Sequence, residues 1–182
     1  MREVLLDQLI DIGDLSYYNN TPYTGLAISY HPNKKLKYKV NFVNGLNDGE
    51  LIIHRENGRL HSSYLYKNDM LNGEYKRFDN KGSLILEHGL YLDDLKTGDW
   101  IKYFENGKVD TKESFVDDKE NGVYETYYIT GQLKAKGNFE NGVKSGRWEY
   151  FYESGNLKGI EENPGVQLLY NEDGSLKSRI DI

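Results

Sequence analysis

The stretch 98-GDWIKYFENGKVDTKESFVDDKENG-122 decides the reading of the whole chain. Trp100 to Phe104 is aromatic and β-branched, and 105-ENG-107 is a turn with glycine where a positive φ is wanted. From Val109 the chain alternates through Thr111 and Glu113 to Phe115, with a period of two. A helix would group residues three and four apart, and glycines every dozen or so residues leave no room for a useful one. The segment therefore reads as two short strands joined by a tight turn.

The same unit recurs along the chain. Gly25, Gly49, Gly73, Gly98, Gly122 and Gly146 are separated by 24, 24, 25, 24 and 24 residues, and Gly165 follows after a shortened step of 19. A fixed period above about 20 residues marks a stack of repeated supersecondary units. Nine residues after each leading glycine stand Gly58, Gly82, Gly107, Gly131, Gly155 and Gly174, with Lys34 in the first unit. Two residues further come Leu36, Leu60, Leu84, Val109, Leu133, Leu157 and Leu176. Five residues after the leading glycine stand Tyr30, His54, Phe78, Tyr103, Tyr127, Phe151 and Tyr170, a column that only His54 breaks. The second strand alternates again through Leu133, Ala135, Gly137 and Phe139, and through Leu36, Tyr38, Val40 and Phe42. In the first strand Trp100 and Tyr103, or Trp148 and Phe151, lie three apart. Either aromatics cover both faces there, or a bulge brings the two rings together.

Between units come 44-NG-45, 68-ND-69, 93-DD-94, 117-DD-118 and 141-NG-142, turns of the Asn/Asp/Gly type. The expected fold is all-β: an elongated array of roughly 24-residue antiparallel β-hairpin repeats forming a solenoid-like single sheet. Residues 1–24 read as a lead-in and N-terminal cap, with strand candidates at Val4–Leu6 and Leu15–Tyr18. Residues 25–164 read as six hairpin repeats, the sixth truncated. Residues 165–182 read as a partial seventh repeat and C-terminal cap. The shortened step through 161-EENPG-165 is expected to remove most of a second strand, with Pro164 poorly tolerated in a central ladder.

Composition narrows the chemistry. The chain has no cysteine, which excludes disulfides, thiolate zinc sites and a cysteine nucleophile. A net charge of -6 disfavours a nucleic-acid backbone as partner. The longest apolar runs, such as 51-LII-53, fall far short of a membrane span, and the N-terminus lacks the cleavage pattern of a secretory signal, so cytoplasm is the expected location. The four histidines are scattered through different phases of the repeat, with no metal-ligand spacing, no nucleophile elbow and no phosphate loop. No catalytic residue, metal or cofactor is nominated, and the expectation is a non-enzymatic protein.

The pattern seen in 98-GDWIKYFENGKV-109, 122-GVYETYYITGQL-133 and 146-GRWEYFYESGNL-157 resembles the variant MORN repeat of bacteria. Its arrangement is similar to the YwqK-like antitoxin family. The resemblance runs from about Thr21 to Lys177. Departures include Lys34, His54, Gln167 and the 25-residue third unit. What the resemblance implies is binding rather than catalysis: a protein that neutralises a toxic partner, or a scaffold organising an assembly.

Two sets of residues are candidates for that binding. Tyr75, Trp100, Tyr124 and Trp148, two residues after the leading glycine, with Phe78 and Phe151 three further on, form a structural aromatic column. Part of this surface, with Tyr103, Tyr127, Tyr128, Tyr150 and Tyr152, is the expected anchor for a protein partner. Asp93, Asp94, Asp117, Asp118 and Glu120 sit in the turns between units. They are either solvated turn residues or a negative rim for a basic partner, such as a cationic toxin. Nothing in the sequence sets the oligomeric state, and a membrane partner is disfavoured by the absence of a basic amphipathic patch.

Overall fold

The computed structural model describes residues 2–163 and 165–181; Pro164, with the expectation placed on it, lies outside them. The chain divides into two compact units, Met1–Leu95 and Lys96–Ile182, and the same hairpin builds both.

In the first unit, β1 (Glu3–Leu5) is followed by one 3-10 turn, then β2 (Ile10–Ile12), β3 (Leu15–Tyr18) and β4 (Thr21–Pro22). Three hairpins follow: β5 (Gly25–Tyr30) with β6 (Leu36–Val43), β7 (Leu46–His54) with β8 (Leu60–Lys67), and β9 (Met70–Phe78) with β10 (Ile85–Leu92). Strands β5 to β10 pair in chain order, and β1 lies parallel along the outer edge of β5. Strands β2, β3 and β4 form a small separate sheet. In the second unit β11 (Leu95–Tyr103), β12 (Val109–Val116), β13 (Lys119–Tyr127), β14 (Leu133–Glu140), β15 (Val143–Phe151), β16 (Leu157–Asn163), β17 (Val166–Tyr170) and β18 (Leu176–Asp181) also pair in chain order. In neither unit does the last described strand return to the first, so each sheet is open and antiparallel apart from β1.

The glycine beats have separate causes. The +9 glycines sit at the end of a type I turn with positive φ, as in Gly107 at 82° and Gly131 at 94°, and each donates its N–H three residues back, as from Gly107 to Phe104. Lys34 occupies the same conformation at φ 66°. The leading glycines mark bulges between repeats. Opposite β12, the register jumps from Glu113↔Tyr124 to Phe115↔Glu120, and Gly122 absorbs the surplus at φ 117°. The turn pairs Asn68-Asp69, Asp93-Asp94 and Asp117-Asp118 all have both residues at positive φ, the type I′ geometry whose twist matches that of the flanking strands.

The question left open about the first strand is answered by register. In β11 and β12, Lys102 pairs with Thr111 and Tyr103 with Val109, so the surplus residue, Asp110, belongs to the second strand. Alternation along the first strand continues unbroken, and the +2 and +5 rings point to opposite faces. The shortened last step also differs from expectation. β16 keeps seven residues, and it is β17 that shrinks to five. The deletion removes the connecting turn and the start of the next strand, because β16 is held along its length by β15.

The core of the first unit lies on the +2 face of its first hairpin. Val4, Tyr23, Ala27, Val40 and Phe42 are buried together, with Leu6, Leu9, Tyr18, Tyr38 and Leu51 packed around them. The residues ahead of β5 thus fold over the sheet face, and the Tyr23 hydroxyl ties the cover down by donating to Leu26 O at 2.8 Å.

Candidate protein-interaction surface

In the second unit the two sheet faces carry different chemistry. One face, reached by Lys112, Glu125, Lys136 and Glu149, is a ladder of cross-strand ion pairs: Lys112–Glu125 at 3.4 Å, Lys136–Glu149 at 2.9 Å and Arg147–Glu162 at 3.3 Å. The opposite face gathers the +2 rings. Trp148 is 2% exposed. Its ring centroid lies 5.4 Å from Tyr124, 5.0 Å from Phe139 and 6.4 Å from Tyr150. The indole lies against the backbone at Gly137, where a Cβ would stand 2.3 Å from Trp148 Cδ2. The absence of a side chain at Gly137 therefore seats one of the unit's two indoles, and the indole N–H donates to Asn138 O at 3.2 Å.

Around this floor runs a groove of about 610 Å³, bounded by Tyr124, Tyr128, Phe139, Tyr150, Gly159 and Leu169 and by charged side chains at its two ends. That is the size range of ligand clefts. Glu113 and Glu120 stand at the end nearer the inter-repeat turns, and Lys134 and Lys158 at the end nearer the hairpin turns. The Lys144 ammonium lies 4.7 Å over the Trp148 ring and donates to the Tyr150 hydroxyl at 2.7 Å and to Glu161 at 3.0 Å. Burial pulls this ammonium's pKa down, and the bonds to Tyr150 and Glu161 more than offset it, leaving it above the usual lysine range. Burial pushes the Tyr124 hydroxyl up, and the Glu113 and Glu120 carboxylates add to that.

The residues nominated from sequence separate into several places. Trp100 and Trp148 are each 2% exposed and Tyr75 is buried, whereas Tyr124, Phe78 and Phe151 are half-buried. Tyr128 and Tyr150 line the groove. Tyr103 and Tyr127 lie on the ion-pair face, where Tyr127 donates to Glu125 at 2.6 Å. The Tyr128 and Tyr152 hydroxyls donate to the next repeat's backbone, at Phe151 O and Tyr170 O, each at 2.9 Å. His31 and Arg55, six residues after their leading glycines like Tyr128 and Tyr152, contact the carbonyls of His54 and Phe78 in the same way. These four +6 clasps are not visible in the sequence because they share no residue type, only the ability to donate a hydrogen bond at the end of a side chain, and Asp79 and Phe104 at the same position make none.

The turn acids also have structural partners. The Asp94 carboxylate accepts from Leu71 N at 2.6 Å while Asp94 N donates to Leu71 O at 3.0 Å. Asp118 clasps Lys96 in the same two ways, at 2.7 and 3.1 Å, and Asp93 accepts from Asn72 at 3.0 Å. Asp117 is exposed at its turn, and Glu120 is half-buried within the groove. Among the described residues no group of three or more His, Asp or Glu side chains is placed to hold a metal ion, and no helix is long and apolar enough to cross a membrane.

Comparison with known proteins agrees with the repeat. The model of the MORN repeat variant matches residues 23–44, 96–117, 120–141 and 144–162. No curated protein matches the chain. Among solved structures, a chain from the crystal structure of a GtfA/B complex bound to UDP and GlcNAc aligns over 97% of this chain and 29% of its own length, at 11% identity and a TM-score of 0.20. This protein spans less than a third of that chain, and a likeness at that score carries no argument about activity.

Proposed function

We propose, from the premise that the chain belongs to the MORN-repeat family, that it is a non-enzymatic interaction module whose second unit holds a segment of a protein partner in an organised assembly. One observation carries the reading. The +2 face is covered by the chain's own N-terminal residues over the first hairpin, whereas the corresponding face of the second unit forms a groove with an aromatic floor and charged ends. Aromatic anchors in a concave, partly dry setting with polar rims are the usual make-up of a protein-binding surface. The candidates Tyr128 and Tyr150 belong to this groove. Tyr103, Tyr127 and Asp118 are assigned to it only as supports of the sheet that frames it, and Asp94 supports the first unit's sheet.

A displayed peptide library selected on the purified chain tests the proposal. The expected binders lose about tenfold in affinity when Leu169→Asp or Phe139→Ala alters the groove, and keep it when Arg147→Ala alters the opposite face. Binders sensitive only to Arg147 would refute the assignment. The narrower reading, neutralisation of a toxin, rests on the resemblance of the repeats to the antitoxin family. Growth rescue on co-expression with a lethal neighbouring gene product, together with co-purification, supports it; a neighbour that neither kills nor binds removes it.

A further inference from the structure

Within the second unit the residue two places before the leading glycine is Lys96, then Glu120, then Lys144. Both lysines turn their ammonium back onto the rings of their own repeat. Lys96 Nζ lies 4.1 Å from the Trp100 centroid and 5.1 Å from Phe115. Lys144 Nζ lies 4.7 Å from Trp148 and 5.4 Å from Tyr150. A cation over such ring faces is held by the ring quadrupole, most strongly where water is excluded. The repeat between them keeps the rings, with Tyr124 and Phe139 at 5.5 Å, but carries Glu120 at the position of its neighbours' lysines, and Glu120 lines the groove together with Tyr124. Glu113, the strand partner of Tyr124, adds a second, largely buried carboxylate, loosely met by Lys102 at 3.4 Å.

We propose that the middle repeat of the second unit is a seat for a lysine or arginine side chain supplied by a protein partner, received by the Tyr124 and Phe139 rings with Glu120 and Glu113. The proposal rests on the reading of the groove as a protein-binding surface and specifies the partner's chemistry. Charge complementarity selects this occupant. Lys144 is already committed to Tyr150 and Glu161 and Glu113 is met by Lys102, which leaves Glu120 as the carboxylate at this end with no ion pair among the described residues. At the far end Lys134 and Lys158 line the same groove and have no ion-pair partner among the described residues. A uniformly basic strand is therefore disfavoured. The occupant is an extended segment with its basic residue over Tyr124 and neutral or acidic residues toward Lys158.

The test uses the full chain and four fluorescent hexapeptides of one sequence, with lysine, arginine, norleucine or glutamate at one central position. The lysine and arginine peptides are expected to bind about tenfold more tightly than the norleucine peptide, and the glutamate peptide most weakly. Glu120→Lys gives the middle repeat the same residue as its neighbours, so its own ammonium occupies the seat. This variant is expected to melt like the parent and to lose the preference for basic peptides; Glu120→Gln is expected to lose most of it and serves if the first variant folds poorly. Equal binding of lysine and norleucine peptides overturns the seat while leaving the groove as a protein-binding surface. A preference that survives both Glu120 variants overturns the seat too, and failure of all four peptides to bind overturns both the seat and the reading beneath it.

Discussion

At the scale of single residues, the positions that break the repeat are the informative ones. Lys34 takes a left-handed conformation elsewhere given to glycine, and the turn survives because the hydrogen bond from its N–H to His31 O remains, at 2.9 Å. His54 breaks the +5 aromatic column. Its Nδ1 is buried without a hydrogen-bond partner, and burial, with His31 and Lys39 nearby, depresses its pKa below the usual 6.5. Since the native state resists protonation that the unfolded chain accepts, stability is fullest above pH about 6.5 and declines as pH falls from there toward the depressed native value. His61 is depressed likewise, by burial and by Arg55 and Arg77. His54→Phe restores the residue found at Phe78 and Phe151. It is expected to raise stability by about 1 kcal/mol by removing the orphaned nitrogen, and to flatten the loss as pH falls below about 6.5. Urea titrations at several pH values check both effects, and an undiminished acid slope would place the proton uptake elsewhere.

At the scale of the element, the +6 side chains His31, Arg55, Tyr128 and Tyr152 clasp the following repeat at one end of their hairpins, and turn residues such as Asp94 and Asp118 clasp the preceding repeat at the other. Asp118 does two things: it holds a positive φ of 64° and it accepts the Lys96 N–H. The two are separable by substitution. Asp118→Gly keeps the conformation and loses the acceptor, as in the Asn141-Gly142 turn, and is expected to cost under about 1 kcal/mol because the bond is exposed. Asp118→Ala loses both and is expected to cost about 2 kcal/mol. Equal losses would mean that the turn's conformation contributes nothing. The turns were legible in the sequence because Asn, Asp and Gly are the residues that tolerate positive φ. The clasps were not, because they join residues 18 to 23 apart whose proximity depends on strand register.

At the scale of the molecule, the two units differ in what covers the +2 face. Tyr23 is 3% exposed and bridges the N-terminal residues to the first hairpin through Phe42 and the Leu26 carbonyl. Tyr23→Ala is expected to lower stability by about 3–5 kcal/mol and to expose an apolar face that binds a hydrophobic dye. A variant that melts normally and binds no dye would show that the cover is dispensable. In the second unit the equivalent face is the groove, and its charged ends set what it receives.

The sequence by itself determined the hairpin, its period and the turns, because each follows from local rules: glycine for positive φ, alternation for a strand, repetition for stacking. It also placed the N-terminal strands at Val4–Leu6 and Leu15–Tyr18 to within a residue or so. Tertiary structure alone decided which tyrosines face the groove and which the ion-pair ladder, that the Asp94 and Asp118 carboxylates are spent on backbone N–H groups, and that Lys96 and Lys144 lie over their own rings while Glu120 lies beside Tyr124. Those outcomes depend on the register between strands and on the bulges at the leading glycines, where a surplus residue resets which side chains become neighbours.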